Sequence, residues 1–209
     1  STARPEMNSS YICISTKENL KQVIKDASKS KVIALDTETT GLDYMDADLV
    51  GISLSFKAGE AFYIPLQHQD DSIKQLDLDV VLKELKPLLE DSKNKIIGQN
   101  IKFDRNVLAK YGVNISSIKN DTMMMSYVLD ASATRHNLDA LSSYYLNYKT
   151  STFEEVAGKG VKQVTFDQVP IKAATNYAAE DADITLRLYE ELYPKLENEK
   201  SLKKLNEEI

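Results

Sequence analysis

Asp36 and Glu38 stand one residue apart at the end of the apolar run in "VIALDTETTGL", residues 32–42. Val32 to Leu35 are apolar and β-branched at the start, which predicts a short buried strand. Residues i and i+2 of a strand share a face, so the two carboxylates project together. A desolvated carboxylate is costly unless its charge is compensated, so the pair calls for a cation or a set of donors. Two more stretches offer matching groups. In "IIGQNIKFDRNVLAKYG" (96–112), Asp104 follows Asn100 by four residues on a predicted helix, which puts both on one face. In "NYAAEDADITL" (176–186), Tyr177 and Asp181 have the same spacing. Glu180 and Asp183 turn about 100° and 200° away from Asp181 and belong to other faces. Ala178 and Ala179 let that helix approach a neighbour closely. Four convergent carboxylates, Asp36, Glu38, Asp104 and Asp181, suit hard cations bound through oxygen, Mg2+ or Mn2+, rather than zinc. Two such ions roughly 3.5–4 Å apart activate water on one side of a phosphorus and stabilise the leaving oxygen on the other.

Taken singly, each group has a bland use. "DTE" serves equally well in capping or turn chemistry, and Asn100 with Asp104 or Tyr177 with Asp181 reads as a half-solvated helix face. The case rests on all three together, in this order.

The elements that must position them form a mixed pattern. "YICIS" (11–15) alternates like an edge strand, and a helix over 16–29 follows with Thr16 as its N-cap. Strand-like runs follow at 31–38, 48–56 and 60–66, the last two joined by the short "KAGE" as a hairpin. A helix fits 78–91, with Pro87 expected to kink it or end its regular part. "KIIGQ" (95–99) reads as a buried strand leading into a helix at about 100–111. Helices are predicted at 121–130 and 137–147, a short turn at "TFEEVA", a loop over 158–169, and a long helix from about Pro170 to Pro194 or beyond. Strands first, then helices interleaved and finally dominant, point to one α/β domain.

Composition narrows the classes. The chain has 209 residues, 42% of them apolar, enough for a sizeable core. No run approaches the ~18 apolar residues of a membrane span, and "STARPEMNSS" lacks the apolar region of a signal peptide. Residues 1–9 read as an added or disordered edge. The single cysteine, Cys13, excludes a disulfide framework and a cysteine zinc site, and points to an intracellular chain. A net charge of −6 argues against a broad basic face, though not against a cleft where cations neutralise carboxylates and receive a phosphate.

"DTETTGL", "GQNIKFDRNVL" and "YAAEDAD" resemble the three motifs of the DEDDy 3′–5′ exonucleases, and within them the proofreading domain of the bacterial family A polymerases, DNA polymerase I. The resemblance continues through "LKPLLED", "DTMMMSYVL", "RHNLDAL" and "TFEEVAGKG", so it covers about residues 10 to 195. It implies a ribonuclease H-like α/β fold, with a central mixed sheet of about five strands flanked by helices. Residues 196–209 would form a helical tail leading toward a polymerase domain. The resemblance assigns Asp36, Glu38 and Asp181 to a tightly held metal, with Asp36 bridging to a second near Asp104. Tyr177 matches the tyrosine that orients the attacking water. Leu42 and Phe153 match apolar residues wedged against the terminal bases, and Gln99, Asn100 and Arg135 match contacts to the frayed strand. Phe103 stands where some relatives have Tyr, so a hydroxyl contact is lost there. The implied activity is removal of nucleoside 5′-monophosphates from unpaired or mismatched DNA 3′ ends, with two Mg2+ or Mn2+ ions, by a monomeric unit in the bacterial cytoplasm at the nucleoid. The competing readings are an exoribonuclease of the ribonuclease D type and an inactive structural domain of a polymerase.

Other features carry less. His68 and His136 are expected in surface or helix-face roles, and "AGKG" (157–160) as a flexible loop. Asp43, Asp46 and Asp48 read as a solvated acidic turn, and Met123, Met124 and Met125 as packing residues.

Overall fold

The computed structural model describes residues 8–115 and 118–207. The apolar run that ends in the paired carboxylates lies inside a six-stranded sheet. Its strands are β1 (Ser10–Cys13), β2 (Val32–Thr39), β3 (Leu49–Lys57), β4 (Glu60–Pro65), β5 (Lys95–Gly98) and β6 (Ile118–Asp121), in the order β1-β4-β3-β2-β5-β6. β3 is antiparallel to both β2 and β4, whereas β1 on β4, β5 on β2 and β6 on β5 are parallel. The expected count of about five falls one short. The sixth strand is "IKND", a short edge segment too polar to stand out as a buried run.

Alternation divides the sheet into two faces. Ile33 and Leu35 of β2 point into a cluster with Ile52, Leu54 and Ile64. α1 (Lys17–Ala27), α2 (Leu78–Glu90) and α3 (Ile101–Lys110) cover that side through residues such as Leu20, Leu85 and Val107. The opposite face carries Ala34, Asp36 and Glu38, and is covered by α4 (Thr122–Leu129), α6 (Phe153–Ala157) and α7 (Ile171–Glu207), with α5 (Leu138–Leu146) packed on α7. α7 lies across the strands on small residues. Gly51, Ser53 and Ser55 of β3 pair with Glu38, Asp36 and Ala34, and the helix presents buried Ala174, Ala178, Ala179 and Ala182. Small against small brings the helix backbone near the sheet, so a short Asp side chain on α7 reaches β2. Gly51 also leaves room for its neighbour in the sheet: a Cβ there would overlap the ring of Tyr63 on β4.

Buried acids lock α7 in place. Asp183, fully buried, accepts from the Tyr11 hydroxyl at 2.8 Å, from the Gly59 amide at 2.8 Å and from Arg187 Nε at 3.0 Å. Glu180 accepts from the Tyr148 hydroxyl at 2.8 Å and the Ser151 amide at 2.5 Å. Both therefore sit on faces away from Asp181, as the helical spacing predicts.

Several local expectations are corrected. The helix of residues 78–90 continues three residues past Pro87, whose missing amide falls in the last turn. Residues 158–169 contain two 3-10 turns, 160–162 and 166–168. His68 and His136 are buried, not superficial. His68 bonds the Tyr63 hydroxyl at 2.7 Å and the Val169 carbonyl at 2.9 Å. His136 bonds Ser126 Oγ at 2.7 Å and stacks on Tyr127. Met125 is buried but Met124 is 53% exposed, so the methionine run is only partly packing. α7 runs unbroken through residues 195 and 196, where the helical tail is expected to begin. Of the expected N-terminal edge, residues 1–7 lie outside the described residues, as do 208–209 of the expected tail. Among the described residues no helix is long and apolar enough to cross a membrane.

Candidate active site

β2 ends where Thr39 shifts register against β3, and its last turns of pleat set out the site. Asp36 and Glu38 project toward α7, which brings Asp181 to them. One carboxylate oxygen from each of the three lies within 4.8 Å of the others. Oxygens sharing one divalent ion at about 2.0–2.6 Å lie at most about 4–5 Å apart, so this donor set fits a hard cation. The all-oxygen chemistry fits the same ions and offers zinc no nitrogen or sulfur.

Asp104 arrives from the other side. Thr37 lies between the two acids in sequence and so points to the opposite face, toward α3. Its amide and hydroxyl donate to Asp104 Oδ1 at 2.8 and 2.6 Å, and Asp104 is buried. The helix that carries Asp104 is itself anchored: Asp121 accepts from the amides of Asn100 and Ile101 at 2.9 and 3.1 Å while N-capping α4. Asn100 is not on the helix. It holds a left-handed conformation (φ 59°) at the N-cap and is exposed, so the expected shared face with buried Asp104 does not exist.

The four acids repel one another. Burial first, then the Asp181 charge, hold the Asp36 carboxyl well above the ordinary carboxylate range. Glu38 is raised by burial and then by Asp36, Asp181 and Asp104. Asp104 is raised by burial and by Asp36, against the pull of its Thr37 bonds. For Asp181 the causes are burial, Glu180 and Asp139, opposed by a hydrogen bond from Tyr177. A group of carboxyls pushed up by burial and by neighbouring negative charge is a site prepared for positive charge. The Tyr177 hydroxyl is raised too, by burial and then by Asp181 and Glu38, so it keeps its proton and works as a hydrogen-bonding group, not a base.

Beside the acids lies a cleft of about 570 Å³ whose lining includes Glu38, Leu42, Phe103, Phe153, Phe166 and Tyr177. Phe166 packs against both Phe153 and Tyr177, with ring centroids 6.3 and 5.8 Å apart, and forms an aromatic wall. Leu42 is 98% exposed at the lip. Gln99 spends its amide inside the protein, donating to the His136 carbonyl at 2.8 Å and accepting from Thr122 Oγ1 at 2.5 Å. Arg135 is exposed and does not line the cleft. Sequence reasoning missed Thr37, Asp121, Phe166 and Glu180. The alternation of β2 and the N-cap position of Asp121 before a helix were signals for the first two. Phe166 and Glu180 act through contacts that no local pattern announces.

A family model described as 3′–5′ exonuclease matches residues 11–197. DNA polymerase I of Pseudomonas aeruginosa is 49% identical over 189 residues, which is 89% of this chain and 21% of the relative. The chain thus spans about a fifth of the length of that relative. Among solved structures, Brucella melitensis NrnC superposes with a TM-score of 0.69 at 24% identity, over 94% of this chain and 85% of the other. Trypanosoma brucei RNase D gives 0.68 at 16% identity, over 89% and 66%. At these identities the two structures share the fold.

Proposed function

The chain belongs to the 3′–5′ exonuclease family found in bacterial DNA polymerase I, and on that premise we propose that it clears unpaired or mismatched DNA 3′ ends for a polymerase. The observation that carries this reading is the convergence of Asp36, Glu38 and Asp181 beside an aromatic-walled cleft. The family and the acidic cluster imply dependence on a divalent metal. Two ions, Mg2+ or Mn2+, are the proposed complement, held by Asp36, Glu38 and Asp181 and by Asp36 with Asp104. When bound they supply an acidified water and charge stabilisation at the phosphorus.

The chain's own residues supply the rest. Asp36 and Glu38 are presented by the last, still paired residues of β2 and Asp181 by a helix held at its other faces by Glu180 and Asp183, so the oxygens are preorganised. Thr37 fixes Asp104. Tyr177 keeps its proton, and its hydroxyl orients the attacking water. Phe153 and Leu42 receive the faces of the last bases, which requires a few nucleotides to leave the duplex. Unpairing is cheapest at a mismatch, so selectivity arises in the DNA before the protein touches it. Asn100 and Phe103 are further proposed DNA contacts, Arg135 one made outside the cleft, and Gln99 one that requires its bonds to His136 and Thr122 to open.

The unit works as a monomer joined to a polymerase domain in the bacterial cytoplasm, at the nucleoid. Residues 10–195 are the exonuclease unit, and the later turns of α7 lead toward the polymerase domain. The test compares matched DNA and RNA single strands with Mg2+, Mn2+ or EDTA. Release of deoxynucleoside 5′-monophosphates with either ion is expected. Preference for RNA would support the ribonuclease D reading, and inactivity with every ion would support the purely structural one.

A further inference from the structure

The loop between β2 and β3 exposes three apolar side chains on a tightly bonded frame. Leu42 is 98%, Met45 68% and Tyr44 38% exposed. Lys110, at the end of α3, spends all three of its ammonium hydrogens on this loop, donating to the carbonyls of Tyr44 at 2.8 Å, Met45 at 3.0 Å and Ala47 at 2.7 Å. The neck is closed twice, by Thr40 N to Asp48 O at 3.0 Å and Asp48 N to Thr40 Oγ1 at 2.9 Å. Asp43 turns the tip, its side chain accepting from Met45 N at 2.9 Å and its carbonyl from Ala47 N at 2.9 Å. A loop held in this way cannot easily fold its apolar tips inward. Clustered apolar exposure of this kind marks a surface that meets something else.

Position and charge say what it meets. The loop leaves β2 after Thr39, one residue past Glu38, and its first residues, Thr40 to Leu42, already line the cleft. Asp43, Asp46 and Asp48 are exposed on the same loop and carry negative charge, which repels phosphates. The acids disfavour phosphates against the loop itself, so what the apolar tips can receive is the uncharged, flat faces of bases, with the backbone turned away. We propose that Tyr44 and Met45 extend the Leu42 contact into an apolar platform for the bases of the unpaired strand upstream of its terminal nucleotide, and that Lys110 is the positioning residue that holds it. The proposal rests on the reading of the cleft as a site for unpaired DNA.

Two substrates separate the platform from the catalytic centre: a 3′-labelled unpaired oligodeoxynucleotide, and the p-nitrophenyl ester of thymidine 5′-monophosphate, which has no upstream bases. Tyr44→Ala with Met45→Ala is expected to raise KM for the oligonucleotide about tenfold, the scale of lost base stacking, with kcat and ester cleavage unchanged. The rise should vanish on a strand whose second and third nucleotides from the 3′ end are abasic. Lys110→Met, which keeps the stem and removes the donors, should act in the same direction. If Lys110→Met does not fold, the Tyr44/Met45 variant carries the test. Binding of the same oligonucleotide in EDTA, read by fluorescence anisotropy, reports the platform without catalysis. Weaker binding by the variant alongside a wild type that cleaves nothing would sink the exonuclease reading and keep the platform. Unchanged KM and binding on the base-bearing strand, or a rise that persists on the abasic one, would overturn the platform alone. A platform that serves a protein surface instead would give that same unchanged result.

Discussion

The amide and the hydroxyl of Thr37 converge on a single oxygen of Asp104, at 2.8 and 2.6 Å. One residue thus ties the α3 carboxylate to the strand that carries Asp36 and Glu38, across 67 positions of sequence. The hydroxyl bond is buried and charge-assisted, which places it among the stronger kind. Thr37→Val keeps shape and volume and removes only that donor. Activity should fall about 10- to 100-fold, as for partners that orient metal-binding groups, and stability by about 1 kcal/mol. Steady-state kinetics and thermal unfolding check this. Kinetics equal to wild type would show that Asp104 does not depend on Thr37.

Single substitutions at the centre should rank by what each oxygen serves. Asp36→Ala is expected to abolish cleavage, and Asp104→Ala or Asp181→Ala to cost several orders of magnitude. Tyr177→Phe should cost less, ~10²–10³ in rate, because one orienting hydrogen bond is lost while the carboxylates stay in place. Single-turnover rates measure this directly. Equal losses for Asp36→Ala and Tyr177→Phe would contradict the division of roles.

The carboxyls are raised by burial and mutual charge, and the sign of the pH effect follows. A carboxyl with a folded pKa above its unfolded value, ordinarily about 4, holds protons better when folded. Stability then rises as pH falls through the folded value, and the strain is greatest above it. In EDTA at pH 8, Asp36→Asn should therefore unfold at a higher temperature than wild type, and the gap should narrow toward pH 5. Saturating Mn2+ should stabilise the wild type and help the variant less. A variant less stable than wild type in EDTA would mean that the four acids do not strain the fold.

Much of this was legible because it is periodic. The β2 run announced itself by β-branched apolar residues followed by acids, and Tyr177 to Asp181 lie one helical turn apart. The strand β6 did not, since an edge strand paired on one side tolerates "IKND". Asn100 departs from the i, i+4 spacing for a physical reason: its left-handed backbone starts α3 one residue later, so the spacing from Asn100 to Asp104 crosses a helix boundary. His68 and His136 looked superficial because no local pattern shows their buried partners, Tyr63 and Val169 for one and Ser126 for the other. Asp183 and Glu180 were placed on the correct faces, yet their partners Tyr11 and Tyr148 lie 172 and 32 residues away and could not be read locally.

The most direct test is to follow a 3′ label on three DNAs with Mg2+: a single strand, a duplex with a 3′-terminal mismatch, and a matched blunt duplex. On the proposed reading the cleft beside the acids takes bases only after they leave the duplex, so degradation should decline in that order and stop in EDTA. Equal rates on all three, or fastest cutting of the matched duplex, would contradict the account.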